Sequence, residues 1–525
     1  MVPQWVKNSR IYPSLRRAAS VLEEGVLRAE YGLLSPSGRQ AELLEQLGRL
    51  PRSNGSGFYR PLPFRVGMVA DRFLFDNYSC TCDLVYLTPD NWLEQLPGLD
   101  CVVVTSVWHG LGGEWTGASL PGSASAERLC ALMEETRRRG CPILFYSKED
   151  PPNFQYFLSY AALADQIYTS AQECVEDYRA RCRGIPVDTM HFAISPLLHN
   201  PIGMKPLRAG AGMAFFAGSW MKKYPARAAR QRQLFDWVRQ AGLCLEIADR
   251  NYSRYSFRYR YPLRYLSAVM PDFTYEDVSA LYKCYDWVLN LNSVGNSADM
   301  FSLRVYDALA CGSLVLSNGS VGMERYFPQV YVIDCYEGLL EALETPLSAL
   351  EGRRFSGLRQ VFRVGTVYER MERMMGSVGL KGTCVDNPLV GVIPGEDGTD
   401  PAGLRAMFEA QSYPHKVWID SADDKAGISR CGMVALWGAG RQYGRHYLED
   451  MVNAFKYTAC DYVTVPDPSQ PGGHRYTDHI TDRYGTLFRR EVYRSLSPGW
   501  RGEAAALPNG YCSDGRSYAV DGRPI

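Results

Sequence analysis

Residues 286–337 read DWVLNLNSVGNSADMFSLRVYDALACGSLVLSNGSVGMERYFPQVYVIDCYE. An apolar run, Trp287 to Leu291, enters a loop of Asn, Ser and Gly. Apolar residues then recur at helical spacing and stop at Cys311-Gly312. Arg304 and Asp307 lie three apart, on one face of that predicted helix. A second apolar run, Leu314 to Ser317, follows. Strand, loop, helix, glycine, strand is the repeating unit of an α/β domain. It offers a loop and a helix N-terminus, near Ser302, to an anionic ligand.

The alternation continues in both directions. Downstream, Val330 to Ile333 reads as a strand and Gly338 to about Met375 as helix. Upstream, strands are expected at Met213–Ala217 and Cys244–Ala248. A further set precedes these at Arg65–Ala70, Asp100–Thr105, Pro142–Tyr146, Asp165–Thr169 and Val187–Phe192. Ala126 to Arg139 is a helix with a basic last turn, closed by Gly140. Short buried strands alternating with helices imply parallel sheets covered by helices. The expected organisation is four-part. Residues 1–60 form a helical extension, with helices at Leu15–Leu34 and Gln40–Leu50. Residues 61–205 and 206–385 form two Rossmann-like domains facing a cleft. Residues 386–525 form a smaller α/β unit, with a strand at Leu389–Pro394, a helix at Pro401–Gln411, a strand at Lys416–Asp420 and a helix at Tyr447–Thr458. The last 25 or so residues read as a hairpin or a loose tail.

A chain of 525 residues exceeds one ordinary core. Lys+Arg and Asp+Glu are equal at 57 each, so no global field recruits nucleic acid or an anionic membrane. The 15 cysteines are scattered and odd in number, which speaks for reduced thiols in a cytoplasmic protein. No apolar core of signal-peptide type opens the sequence. No window approaches the ~18 apolar residues of a membrane span, so membrane contact is expected only at the surface.

Several clusters carry chemistry. Phe215-Phe216-Ala217 runs into Gly218-Ser219-Trp220, then Lys222, Lys223 and Arg227. This is either a phosphate-binding turn or an ordinary turn with a solvated basic helix. Arg304 and Asp307 are either a surface ion pair or a nucleotide contact, with Asp307 on ribose hydroxyls and Arg304 facing phosphates. Lys148-Glu149-Asp150 precedes a Pro-Pro turn. Glu149 or Asp150 is a candidate acceptor-orienting group or base, with Lys148 tuning it, against a plain loop ion pair. His109 is a rival and Asp71 a weaker candidate. Asn251 to Leu266 interleaves arginines and tyrosines, which suits a packed segment, a cleft or membrane-facing loop, or polyanion binding.

Five blocks in order carry a family resemblance. They are Ser106-Val-Trp108-His-Gly110, Phe145-Tyr-Ser-Lys148-Glu149-Asp150-Pro151, Phe216-Ala-Gly218-Ser-Trp220, Asn290-Leu-Asn292-Ser293 and Arg304-Val-Tyr-Asp307-Ala-Leu-Ala-Cys-Gly312. From about Arg65 to Met375 the chain resembles a spore-maturation-type (CgeB-like) glycosyltransferase of GT-B fold, related to retaining family 4. That family usually has Glu where this chain has Asp307, and family 4 often has a second Glu eight residues earlier, here Asp299. Family 4 commonly has His after the strand that here leads into Lys148. Residues 389–450 resemble a truncated family 2-like GT-A domain. Leu389-Val-Gly-Val-Ile-Pro394, Gln411-Ser-Tyr-Pro414, Val417-Trp-Ile-Asp420 and Tyr443-Gly-Arg-His-Tyr447-Leu-Glu-Asp450 carry that likeness. Its metal-binding Asp-any-Asp is replaced by Trp437-Gly-Ala-Gly-Arg441-Gln442, so this domain is expected to be non-catalytic. Asp420, Asp423 and Asp424 are its remaining candidates for a nucleotide contact.

The resemblance implies transfer of a sugar, with retention, from a nucleotide-sugar (UDP-sugar by default) to a glycan, protein or cell-surface polymer. No metal and no cofactor beyond the donor are expected. Gly218, Ser219, Lys223, Arg227, Asn292, Ser302, Arg304, Asp307 and Glu324 are the expected donor residues. Glu149, Asp150 and His109 are the expected acceptor-side residues. The expected place is the cytoplasm or the inner membrane surface, without nucleic acid. A non-catalytic nucleotide-sugar or glycan binder and a nucleotide-sugar epimerase are the alternatives.

Overall fold

The structure, a computed structural model, describes residues 12–207, 212–395, 401–467, 472–496, 504–520 and 523–524. The first eleven residues of the expected extension, and part of the expected C-terminal tail, lie outside them. The described chain divides into two compact units. One holds residues up to Leu50 with Leu207–Asn296 and Ser313–Arg354. The other holds Pro51–Pro206, Ser297–Gly312 and Phe355–Ile525.

The first unit is built on six parallel strands: β7 (Met213–Ala217), β8 (Cys244–Asp249), β9 (Val269–Pro271), β10 (Trp287–Asn290), β11 (Leu314–Ser317) and β12 (Tyr331–Val332). Their order is β12-β11-β10-β7-β8-β9, so the winding reverses between β7 and β10. That doubly wound order leaves a crevice at the carboxyl ends of the two central strands. Helix Pro225–Gln240 covers one face through Leu234, Phe235 and Val238. The N-terminal helices Tyr12–Leu34 and Arg39–Gly48 belong to this unit. Leu27 and Tyr31 enter its core, Tyr31 meets Tyr252 edge to face at 4.7 Å, and Arg39 donates to Glu246 at 2.7 Å. The Arg/Tyr segment is therefore packed: Tyr261 and Tyr265 are buried, Arg260 grips Glu30, and Arg264 donates to Asp236 at 2.5 Å. Arg254 and Arg258 stay exposed.

The second unit begins with another parallel sheet: β1 (Arg65–Val69), β2 (Asp83–Tyr86), β3 (Cys101–Thr105), β4 (Ile143–Ser147), β5 (Gln166–Thr169) and β6 (Val187–Thr189). The order β2-β1-β3-β4-β5-β6 reverses between β1 and β3. β3, β4 and β5 are buried throughout, as the apolar runs imply. Helix Ala124–Arg138 starts where the Ser123 hydroxyl accepts the Ala126 N–H at 3.1 Å. It ends at Gly140, whose φ of 72° is the left-handed conformation that favours glycine there. Helix Leu303–Ala310, expected inside the donor domain, packs within this unit.

The C-terminal part of the second unit holds a mixed seven-stranded sheet among the described residues. β13 (Val390–Pro394), β14 (Lys416–Trp418) and β15 (Met433–Trp437) are parallel, and the strand Thr486–Arg489 pairs antiparallel with β15. Among the described residues of the expected tail, Tyr518–Val520 and Arg523–Pro524 pair antiparallel as a hairpin, and Ala505–Cys512 pairs with Tyr462–Thr464 and with Arg475–Ile480. Helix Leu347–Val364 reaches this part through ion pairs. Arg359 donates to Asp450 at 2.6 and 2.9 Å, and Arg363 to Glu449 at 2.6 Å. Among the described residues no helix is long and apolar enough to cross a membrane.

Candidate functional site

In the first unit the carboxyl ends of β7, β8, β10 and β11 carry a polar edge. After β7, the Gly218 N–H donates to the Ala248 carbonyl at 3.0 Å, and the Gly218 carbonyl accepts from the Tyr261 hydroxyl at 2.7 Å. The Ser219 hydroxyl accepts from Arg250 (3.1 Å) and Asn251 (2.6 Å), and its carbonyl accepts from Arg227 (3.3 Å). Lys223 extends over the Tyr224 ring, 5.3 Å from its centre. Asp249 closes β8 almost wholly buried. Burial pushes its carboxyl up to about 7, and its Oδ2 has no hydrogen-bond partner among the described residues. Asp249 and Arg250 escaped the sequence reading, and Asn251 entered it only as the start of the Arg/Tyr segment. Their only signal was their place just after an apolar strand.

On the other side of the crevice, asparagines tie β10 to β11. The Asn290 amide donates to Ser317 at 2.9 Å and to Asn292 at 3.1 Å. The Asn292 N–H donates to the Asn318 side chain at 2.8 Å, and the Asn318 amide donates back to the Asn292 carbonyl at 3.2 Å. Glu324 is exposed and accepts the Ser320 N–H at 3.0 Å, fixing the start of helix Val321–Tyr326. Gly218, Ser219 and Asn292 thus follow strand ends of one sheet, and Arg227 and Glu324 lie on the helices that follow β7 and β11. Each rests on backbone or amide groups that hold it rigid.

In the second unit the Ser302 hydroxyl caps helix Leu303–Ala310, accepting the Arg304 N–H at 3.3 Å. Asp307 is 4% exposed, with Oδ1 3.5 Å from His199 Nε2. Asp299 Oδ1 lies 2.9 Å from His191 Nε2, and Asp299 Oδ2 accepts the Gln172 N–H at 3.3 Å. Burial holds the His191 imidazole below its usual value, against the opposing pull of Asp299. The two histidines are spaced eight apart, as are the two aspartates. That matched spacing was the one sequence signal for these pairs.

The reversal between β1 and β3 holds the other predicted residues. Asp71 follows β1 and accepts backbone N–H groups of Trp108 (3.1 Å), His109 (2.8 Å) and Gly110 (3.0 Å) from the loop after β3. Lys148, at the end of β4, lies 3.0 Å from Asp71 and 3.1 Å from Glu149, with its side chain 1% exposed. Burial opposes charge on Asp71, but Lys148 and the N–H groups of His109 and Gly110 hold its carboxyl below the usual value. Burial likewise opposes charge on Lys148, and Glu149 and Asp71 outweigh it. Glu149 is 27% exposed and accepts from Asn153 at 3.0 Å. Asp150 is fully buried beneath the loop. It accepts from Thr169 (2.6 Å) and Tyr178 (3.0 Å), and burial pushes its carboxyl up to about 6. The His109 ring is exposed, 3.2 Å from the Thr116 hydroxyl. So Asp71, Lys148 and Glu149 form one cluster, with Asp150 below it and His109 outside.

The replaced acidic motif of the C-terminal part is filled by aromatic rings. Trp437 stacks on Tyr443 at 3.9 Å, Arg441 lies 4.7 Å over the Tyr484 ring, and the Gly438 N–H donates to the Tyr443 hydroxyl at 2.9 Å. A Cβ at Gly438 would lie 2.7 Å from the Tyr484 ring. Asp420 accepts from the Trp418 indole at 3.0 Å, and Asp424 caps helix Lys425–Arg430. Asp423 stays exposed.

Residues 230–375 match a family model described as "Glycosyl transferase-like". No curated protein matches the chain. The chain is similar to a solved alpha-glucosyltransferase in complex with UDP, at 8% identity over 60% of this chain and 99% of that one, with a TM-score of 0.44. It is similar to an alpha,alpha-trehalose-phosphate synthase (UDP-forming) from Burkholderia vietnamiensis, at 11% identity over 56% and 72%, with a TM-score of 0.37. An alpha1,3-fucosyltransferase matches at 13% identity over 57% and 82%, with a TM-score of 0.31. The family match starts within helix Pro225–Gln240 and includes Asn292 and Glu324, while Gly218, Ser219, Lys223 and Arg227 precede it. Residues 230–375 are thus glycosyl transferase-like by this match, in a chain that carries two Rossmann-type parallel sheets.

Proposed function

We propose that the chain moves a sugar from a nucleoside-diphosphate sugar, UDP-sugar by preference, to a hydroxyl of a glycan, protein or polymer, with retention and without a metal. The observation that carries this reading is the polar edge at the β7/β10 reversal. Ligands of open α/β sheets bind at such reversals, and the edge adjoins and enters the matched segment. Gly218 lets backbone approach the diphosphate, and Ser219 with Arg250 holds that turn. Lys223 and Arg227 neutralise the charge that grows on the departing diphosphate. Asn292 and Glu324 take the sugar hydroxyls.

The bond from the anomeric carbon to the diphosphate oxygen breaks, with its electron pair leaving on the nucleotide. A new bond forms from that carbon to the acceptor oxygen, whose proton passes to a carboxylate or to the departing phosphate. Glu149, the exposed member of the Lys148 cluster, is the acceptor-orienting carboxylate in this reading. Asp150 and His109 take no part in it. The test is UDP release from UDP-sugars without acceptor, beside GDP-, CMP- and dTDP-sugars. Lys223→Ala/Arg227→Ala should reduce release roughly a hundredfold if each cation contributes ~1–2 kcal/mol to the transition state. Unchanged release would remove these residues from the donor site. Conversion of donor to an isomeric nucleotide-sugar would favour the epimerase reading instead.

A further inference from the structure

A cavity of about 1010 Å³ lies between helix Pro225–Gln240 and the loop Arg260–Pro262. Ala226, Ala229, Arg230 and Gln233 line it at the spacing of one helix face, and all four are exposed. The alanines leave a flat floor, and Lys222, Arg230 and Arg232 stand around it. None of these three cations has a side-chain ion pair or hydrogen bond with a described residue. Their neighbours do, since Arg260 grips Glu30 and Arg264 donates to Asp236. The helix carries Arg227, Arg230, Arg232 and Arg239 against a single acid, Asp236, so the local field is positive although the whole chain is neutral. The cavity reaches the upper end of the ~300–1,000 Å³ of small-ligand sites, enough for several sugar residues.

We infer that this cavity holds a segment of an anionic glycan, one whose sugars or links carry carboxylate or phosphate. Free guanidinium groups match both anions. Nucleic acid fits less well, because single strands bind on exposed aromatic rings and the two rings here, Trp220 and Tyr261, are buried. The anionic part of the inference stands on the cavity alone. The glycan part rests on the glycosyltransferase reading, and makes the site a holder of acceptor or product beside the donor-binding edge.

The test measures equilibrium binding of fluorescein-labelled polygalacturonate and poly(glycerol phosphate), which separate carboxylate from phosphate. Neutral dextran and oligo-dT of matched charge are the comparators. At least one charged glycan should bind, dextran should not, and Arg230→Ala/Arg232→Ala should weaken binding roughly tenfold or more. Arg230→Gln/Arg232→Gln should do the same, and Arg137→Ala, an exposed cation of the other unit, should change nothing. Failure of both charged glycans to bind overturns the inference, as does binding that ignores both double variants. Oligo-dT binding as tightly as the glycans would replace the glycan with nucleic acid. UDP release by the double variants should equal wild type. If wild type releases no UDP while charged glycan binds through Arg230 and Arg232, the donor reading fails and this site survives.

Discussion

Replacing Lys148 with Met removes a buried cation that the structure places against two carboxylates. The ammonium lies 3.0 Å from Asp71 and 3.1 Å from Glu149. At an effective dielectric of about 20, each contact is worth about 5 kcal/mol before desolvation. The measurable cost is smaller, because burying the ammonium already costs several kcal/mol and the variant avoids that. Removing one partner of a buried pair typically costs about 3–5 kcal/mol. Glu149 is 27% exposed and turns to water, whereas Asp71, 14% exposed, keeps only its three backbone donors. The expected loss for Lys148→Met at pH 7 is therefore about 3 kcal/mol. Asp71→Asn/Lys148→Met should recover about 2 kcal/mol of it, since no uncompensated charge remains. The loss should also shrink from pH 7 towards pH 5. Without Lys148 the downward pull on the Asp71 carboxyl weakens, so the variant loses less stability than wild type as pH falls through the carboxylate range. Amide hydrogen exchange of residues 65–150 in increasing urea measures this locally. A loss under about 1 kcal/mol, or a double variant no better than the single one, would refute the argument.

Asp249, whose folded value of about 7 lies above its usual 3.8, lowers stability as pH rises between those values. Asp249→Asn should therefore be more stable than wild type at pH 8 and not at pH 3.5, read from urea midpoints. Gly438→Ala pushes a methyl into the Tyr484 ring and should cost about 1–3 kcal/mol while leaving UDP release unchanged. Loss of release without loss of stability would give the C-terminal part a role in catalysis. Asp307→Asn and His199→Gln should each lower the melting temperature by several degrees, as loss of one buried pair of about 1–2 kcal/mol implies, and the double variant should fall short of their sum.

Much of the architecture is legible because buried parallel strands read as short apolar runs. β3, β4, β7, β10 and β11 are such runs and lie within a residue or so of the expected places. β2 is mostly half-buried to exposed and gives no run, and β9 has only three residues. The strand Ala505–Cys512 reads as turns, because Pro508, Asn509 and Gly510 sit inside it. At the candidate site, residue types after strand ends are legible, but partners far along the chain are not. Nothing local shows that Asp71 meets the N–H groups of residues 108–110, or that Asp299 meets His191. The Asp71 contact exists because β1 and β3 are neighbours in a sheet whose order reverses, and the Asp299 contact joins segments more than a hundred residues apart. The same holds for Glu149 and Asp150. Adjacent in sequence, they differ because one turns outward beside Asn153 and the other inward beneath Thr169 and Tyr178.

The most direct test of the central claim is donor binding and turnover in one experiment. The purified chain is incubated with UDP-, GDP-, CMP- and dTDP-sugars, and melting temperature and free nucleotide are read together. A true donor at a hundred times its dissociation constant stabilises the folded chain by about 2.7 kcal/mol. The account predicts that one nucleotide-sugar class, UDP first, raises the melting temperature and is slowly hydrolysed, and that Lys223→Ala/Arg227→Ala loses both effects. No shift and no nucleotide release with any of the four classes would contradict it.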